Sequence, residues 1–130
     1  MEPNSAKRSV VSHILIKTEA RNVGEGTIMS VIVIARFGVA DVDKSLAWVR
    51  ANPSIPDEIT AYAKSLGQLG HRILTADGDI VVLDEWPSAE AFTTFFANAP
   101  RMAEFLAGVG TQGEPAISML DSIDDIPGTF

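Results

Sequence analysis

The stretch from residue 80 to residue 96 constrains the fold more than any other part of this chain. It opens with the run Ile-Val-Val-Leu at residues 80–83, and a strand of this kind has apolar side chains on both faces and needs cover on both. Ser88 follows and is predicted to be the N-cap of a helix, because serine is a preferred residue at that position. The aromatic residues after this cap have the i, i+3, i+4 spacing of one helix face, and they are Phe92, Phe95 and Phe96. This face is predicted to pack against the strand that precedes it.

The other predicted elements lie on either side of this stretch. A second strand that is apolar on both faces covers residues 31–37, and a bent helical connection runs from a cap at Asp41 to Gly67. Residues 70–76 form a strand, and Asp77-Gly78 is the signal of a tight hairpin turn into residue 80. The remaining predictions are a helix break at residues 98–100, a helical continuation to about residue 109, and a last strand at residues 116–123.

This order of strands and helices is the βαββαβ arrangement of the ferredoxin-like α+β fold. In that fold the helices cover one face of a four-stranded antiparallel sheet. Because the strands at residues 31–37 and 80–83 offer apolar side chains to both faces, the second face needs a cover of its own. A second copy of the same sheet, packed across a two-fold axis, supplies it. The sequence therefore predicts a homodimer that closes into an α+β barrel.

Three segments follow from this interpretation. The ferredoxin-like domain spans residues 30–125, and residues 126–130 form a C-terminal tail. Residues 1–29 form a leader, which is either a mobile tail or an added edge strand, because a polar segment with two glycines separates residues 10–17 from the first convincing strand. No chemistry is expected of the leader.

Composition excludes several kinds of partner. The chain carries a formal net charge of −7 and has no basic stripe, which argues against binding to nucleic acid and to anionic membrane surfaces. No apolar run reaches the ~18 residues of a membrane span. With no cysteine in its 130 residues, the chain has no disulfide, thiol nucleophile or thiolate metal site. A poor match to a signal peptide leads us to expect a cytoplasmic protein.

The chain resembles one protein family over about residues 30–125. The run Val-Leu-Asp-Glu-Trp-Pro-Ser-Ala-Glu-Ala-Phe at residues 82–92, preceded by the Asp77-Gly78 hairpin and followed by a short final strand, is similar to the dimeric α+β barrel proteins of the antibiotic-biosynthesis monooxygenase superfamily. The resemblance implies the barrel dimer and a possible activity without a cofactor. The superfamily includes cofactor-free quinone-forming monooxygenases, haem-degrading enzymes, isomerases and proteins of unassigned role.

The resemblance does not extend to haem degradation. Haem-degrading members use an Asn on the first strand with a Trp and a His on the second helix. The corresponding positions here are Ala35 or Arg36, Phe95 and Phe105. We therefore expect no haem and no other cofactor.

Few residues offer chemistry, and two are candidates for a catalytic role. His71 is the only histidine of the predicted domain, and an imidazole can act as a general base near neutral pH; the alternative is a solvent-facing residue at the start of a strand. Arg36 shares a strand face with Ile32 and Ile34, so it could reach a cavity and stabilise an enolate oxygen. Its alternative is an ion pair with Asp84, Glu85 or Asp121.

The candidate substrate-binding residues are aromatic. Trp86 could stack on a planar substrate, and Tyr62 could donate a hydrogen bond to a substrate oxygen. Phe92, Phe95 and Phe105 would line a pocket between helices and sheet. Each of the five can also be ordinary core packing, which is the commoner fate of an aromatic stripe at helical spacing.

Other reaction classes lack their motifs. The sequence has no metal-ligand cluster, no phosphate-binding Gly-x-x-x-x-Gly-Lys loop and no Gly-x-Ser-x-Gly elbow. Two hypotheses remain. The first is a cofactor-independent monooxygenase acting on a small aromatic or enolisable substrate, and the second is a non-catalytic module of the same fold that binds a small apolar or aromatic ligand or a partner.

Overall fold

A computed structural model describes residues 28–130 of the chain. Residues 1–27 of the predicted leader lie outside the described residues. The first strand begins slightly before the predicted domain boundary and takes in Ile28 and Met29. In chain order the elements are β1 (Ile28–Val39), α1 (Val42–Ala51), α2 (Ser54–Ser65), β2 (Gly70–Ala76), β3 (Asp79–Trp86), α3 (Ala89–Asn98), α4 (Met102–Val109) and β4 (Thr111–Ile123).

The strands form one antiparallel sheet in the order β2-β3-β1-β4. This is the strand order of the ferredoxin-like α+β fold, which confirms the fold class predicted from the sequence. The long connection of α1 and α2 joins β1 to the edge strand β2, and α3 with α4 joins β3 to the other edge strand, β4. Both connections therefore pass over the sheet on one side.

Local signals in the sequence begin and end these elements as expected. Asp41 caps α1 by accepting a hydrogen bond from the backbone N–H of Lys44, and Ser88 caps α3 by accepting one from the N–H of Ala91. Asp77 and Gly78 both have positive φ, at 52° and 80°, as the tightest hairpin turns require. The caps and the hairpin predicted from the sequence are thus confirmed.

The core lies between the helices and the inner face of the sheet. Val31, Val33 and Trp86 come from the two central strands, and the helices contribute three phenylalanines that were predicted to share one face. The largest side chain of this core is Trp86, which is 0% exposed. Its ring centroid lies 5.1 Å from that of Phe95, so the strand and the helix of the 80–96 stretch do pack on each other.

The last strand is longer than its sequence indicates. β4 begins at Thr111 rather than at residue 116, and it includes Gly113 and Pro115. A proline cannot donate to a neighbouring strand, so it is tolerated where one side of the strand has no partner. β4 occupies that edge position, and its first residues pair with the end of β1 after a register shift.

A surface ion cluster ties α4 to α2. Arg101, with φ of 59°, precedes α4 and contacts Glu58 at 2.8 Å and Glu104 at 2.9 Å. The guanidinium lowers the pKa of the Glu104 carboxyl below its usual range. Because this pKa is lowered in the folded state, the stabilisation is present above the ordinary glutamate pKa and is lost as the pH falls through the lowered one.

Within residues 28–130, none of the helices combines the length and the apolar character that a membrane span requires.

The contact between α1 and α4 leads to a prediction about Gly108. A Cβ atom at Gly108 would lie 1.9 Å from Cζ2 of Trp48, whose ring packs edge-on against Phe105 at 6.2 Å. Gly108→Ala should lower the free energy of unfolding by about 1–3 kcal/mol, the usual cost of overpacking, although alanine is the better helix former. Urea unfolding measures this difference.

Gly38→Ala is the matched control for this substitution. A Cβ atom at Gly38 meets nothing nearer than 3.7 Å, so we expect a change of less than about 1 kcal/mol. A Gly108→Ala variant as stable as the wild type would contradict the close packing of the two helices.

Candidate active site

A cavity of about 430 Å³ lies between the helices and the sheet. Its wall is mainly apolar, and all four helices and all four strands contribute to it. Three of the predicted substrate-binding residues, Phe92, Phe95 and Phe105, are part of this wall. Other apolar members include Phe37, Leu46, Val49, Val82, Phe96 and Met102. The volume and the aromatic wall suit a small, flat, apolar molecule.

The cavity opens along the edge strand β2. Three of its lining residues, His71, Ile73 and Thr75, alternate along this strand and are exposed to solvent. Ile73 is 46% exposed. β2 is an edge strand of the sheet formed by the described residues, and its exposed side chains border the cavity on this side.

An imidazole and a carboxylate meet at this opening. Nδ1 of His71 lies 2.6 Å from Oδ1 of Asp84, and both residues line the cavity. The Asp84 side chain is 7% exposed, whereas that of His71 is 40% exposed. A carboxylate can only accept hydrogen bonds, so Nδ1 of the neutral imidazole donates and Nε2 carries a lone pair. The buried acid thus fixes an imidazole with a free basic nitrogen at the opening.

The register of the hairpin creates this pair. The two-residue turn at Asp77 and Gly78 makes Ala76 the partner of Asp79, and counting back along both strands puts His71 opposite Asp84. Directly opposed residues of an antiparallel pair project from the same face of the sheet. Since Asp84 alternates with the buried Trp86, this face is the one beneath the helices. The two side chains therefore meet inside the fold.

Arg36 was expected to reach the cavity, but it is not among the residues that line it. Arg36 alternates with Val33 and Ala35, whose side chains face the helices, and it lies on the opposite face of the sheet. Its Nε donates to Oδ2 of Asp79 at 2.7 Å and its Nη2 to the carbonyl of Ala76 at 3.1 Å. The ion pair expected as the alternative does form, but with Asp79 instead of the three acids considered. The structure does not bring Arg36 together with His71.

Two of the aromatic candidates also lie outside the cavity wall. Trp86 is fully buried beneath α3, and its indole Nε1 has no hydrogen-bond partner among the described residues. Tyr62 stacks on Phe95 with ring centroids 6.3 Å apart and is not part of the cavity wall. Both rings pack in or against the core instead of lining the cavity.

Sequence reasoning missed several polar residues of the wall. Asp84 was considered only as one of three acids that could pair with Arg36, and its pairing with His71 was not considered. The turn at Asp77-Gly78 contained the signal, because a two-residue loop determines which residues are opposed. The other polar lining residues are Arg50, Thr60, Gln68, Thr75 and Thr111. No periodicity separates these from ordinary surface positions.

The architecture defines a class of proteins. The ferredoxin-like sheet with its helices on one face is the fold shared by solved structures of antibiotic biosynthesis monooxygenases. The fold that the resemblance implied is therefore confirmed. Neither a family model nor a curated protein matches the sequence.

Three solved structures illustrate the likeness. A monooxygenase from the gene ActVA-Orf6 of Streptomyces coelicolor, in complex with the ligand nanaomycin D, is 17% identical with a TM-score of 0.56, over 78% of this chain and 94% of that chain. SnoaB, a cofactor-independent oxygenase from Streptomyces nogalater, is 16% identical with a TM-score of 0.52, over 75% and 97%. A nipsnap family protein with unknown function from Agrobacterium tumefaciens str. C58 is 18% identical with a TM-score of 0.50, over 79% and 96%. Identities this low establish the fold alone.

The contact between His71 and Asp84 predicts one tautomer. When the imidazole is neutral, long-range proton–nitrogen NMR spectra should show the proton of His71 on Nδ1. Asp84→Ala removes the acceptor, so the proton should move to Nε2, which is the usual tautomer of a histidine without a partner.

Asp79→Ala is the matched control, because Asp79 lies on the same strand but pairs with Arg36 on the other face. This variant should leave the His71 tautomer unchanged. A wild-type spectrum with the proton on Nε2 would rule out the geometry described here.

Proposed function

We propose that this chain is a cofactor-independent monooxygenase that oxidises a small, planar, enolisable aromatic substrate in the cavity. The single observation that carries the proposal is the His71–Asp84 pair at the opening of an otherwise apolar cavity of about 430 Å³. Two structural neighbours add support, since one is described as a monooxygenase and the other as a cofactor-independent oxygenase.

The pair supplies a positioned base. Nε2 of His71 removes a proton from the acidic carbon of the substrate, and the ionised Asp84 stabilises the imidazolium that forms. The electrons of the broken C–H bond pass into the ring system as an enolate. The surrounding phenylalanines exclude water and hold the rings flat, so that the carbon atom stays within reach of the imidazole.

Molecular oxygen is the oxidant. The enolate transfers one electron to O₂, and the two radicals combine to form a C–O bond and a peroxide. The peroxide takes up the proton held by His71. Loss of the second hydrogen from the same carbon then breaks the O–O bond and releases water. A methylene group has become a carbonyl group, one oxygen atom has entered the product and the other has left as water. No metal or flavin takes part in this scheme.

A binding function without catalysis is the second candidate. It is favoured by the position of Arg36, which lies outside the cavity and so leaves the enolate oxygen without the cation that the sequence suggested. In that case His71 would serve only to donate or accept a hydrogen bond. The two candidates differ in one observable quantity, which is oxygen consumption that depends on His71.

An anthrone provides the test of catalysis, because its oxidation to the quinone consumes O₂ and changes the visible spectrum. His71→Gln should lower the rate above the uncatalysed background by about 100-fold or more, which is the usual contribution of a positioned base. The measurements are oxygen uptake and quinone absorbance.

Arg72→Gln is the control, since Arg72 is the neighbour of His71 in β2 and its side chain faces the other side of the sheet. This variant should retain the wild-type rate. If the wild-type protein binds an anthrone but oxidises it no faster than the uncatalysed rate in buffer, the oxygenase proposal is wrong and the chain is a binding module.

We also propose that the chain is a homodimer. The outer face of the sheet, opposite the helices, is apolar at its centre, with Ile32, Ile34, Val81 and Leu83 from the two central strands. Leu74 and Leu120 extend this face onto the edge strands and are 37% and 43% exposed in the single chain. Burial of such a face against a second copy is favourable by roughly 25 cal/mol for each Å² of apolar surface.

A charge in the middle of this face should abolish the dimer. Leu83→Lys is expected to convert the protein to monomers in sedimentation equilibrium, because an unpaired ammonium group would have to be buried. Leu69→Lys is the control, since Leu69 is 60% exposed and precedes the sheet. A wild-type protein that remains monomeric at high concentration would contradict the proposal.

A further inference from the structure

Arg50 lines the cavity from the helix layer. It lies in the last turn of α1 and is the only residue of the cavity wall, among the described residues, with a permanent positive charge. The other polar members are hydroxyl and amide side chains together with the His71–Asp84 pair on the sheet. An apolar cavity thus has a guanidinium group at its border.

This guanidinium lacks a partner within the described residues, unlike two others in the fold. Arg36 is paired with Asp79 at 2.7 Å, and Arg101 is paired with two glutamates. Arg50 forms no ion pair and donates no side-chain hydrogen bond to any residue from 28 to 130. Its donors remain available to a molecule in the cavity.

We propose that Arg50 anchors the substrate by an anionic oxygen substituent, a carboxylate above all. The planar fork of an arginine matches the two oxygens of a carboxylate. The inference rests on the proposed function only in taking the cavity as the substrate site. It adds that the substrate is an aromatic acid, with its charge toward α1 and its reacting carbon toward His71 on β2.

The overall charge of the chain makes a local anchor necessary for such a substrate. With a formal net charge of −7, the protein repels an anion at long range. A single cation at the cavity overcomes this repulsion at short range and discriminates against neutral aromatic molecules of the same shape. This interaction should weaken as the salt concentration rises.

A second explanation for Arg50 is helix stability, because a cation in the last turn interacts favourably with the helix dipole. Lys64 separates the two explanations. It lies in the last turn of α2, as Arg50 lies in the last turn of α1, and it is exposed but does not line the cavity. Arg50→Gln and Lys64→Gln change the net charge equally and remove the same dipole contact.

The test compares two ligands of nearly identical shape, an anthraquinone carboxylate and the corresponding anthraquinone carboxamide. Both are already quinones and are not turned over, so binding is measured at equilibrium by quenching of tryptophan fluorescence. Thermal unfolding of each variant is measured in parallel, so that a folding defect is recognised.

Arg50→Gln should weaken binding of the carboxylate by about 10-fold, the effect of a charge-assisted hydrogen bond at a partly exposed site. Its affinity for the carboxamide should change by less than about 2-fold. Arg50→Lys, which keeps the charge but loses the fork, should fall between wild type and Arg50→Gln. Lys64→Gln should bind both ligands as the wild type does.

Three results would overturn the anchor. They are an equal loss of affinity for both ligands in Arg50→Gln, an equal effect of Lys64→Gln, and a wild-type protein that does not prefer the carboxylate to the carboxamide. The oxygenase proposal is tested separately, because a preference for the carboxylate that is lost in Arg50→Gln can accompany a complete lack of oxygen uptake. In that event the anchor stands and the catalytic role of His71 is withdrawn.

Discussion

The register of the β2–β3 hairpin is the constraint on which the candidate site depends. A turn of two residues with positive φ at Asp77 and Gly78 admits one pairing of the strands that follow from it. That pairing sets His71 opposite Asp84 on the helix-covered face. A shift of one residue would bring every side chain of β2 to the other face, and the imidazole would then lie in the outer surface with its acid still buried beneath the helices. The chemistry of the site is therefore a consequence of turn geometry.

The fold could be predicted from the sequence because its signals are local and agree with one another. Ser88 caps a helix whose phenylalanines have helical spacing, and Asp41 caps another. The face on which a residue lies was harder to predict. Because β1 is apolar on both sides, alternation does not tell which side faces the helices, and Arg36 could be assigned to either. Only the tertiary packing of Val33 and Ala35 beneath the helices decides it.

The candidate site was predictable in part. The helical spacing of the phenylalanines predicted that they share one face, and His71 was a candidate because it is the only histidine of the predicted domain. Asp84 could have been found by counting from the turn. Arg50 could not, because a basic residue in the last turn of a helix is commonplace and no local sequence pattern places it beside a cavity. The start of β4 was predicted five residues too late, and the missed segment contains Pro115, which is compatible with a strand only at an edge.

The two layers of the fold contribute different functional groups to the cavity. The sheet provides His71, which is held by a buried acid and therefore has a defined orientation. The helix layer provides Arg50 on a longer and freer side chain, along with most of the aromatic wall. A base must be positioned closely for proton transfer, whereas an ionic anchor acts over a wider range of distances and geometries. The proposed division of roles thus follows the rigidity of the two groups, with the constrained imidazole assigned to the reacting carbon and the adaptable guanidinium to the far end of the substrate.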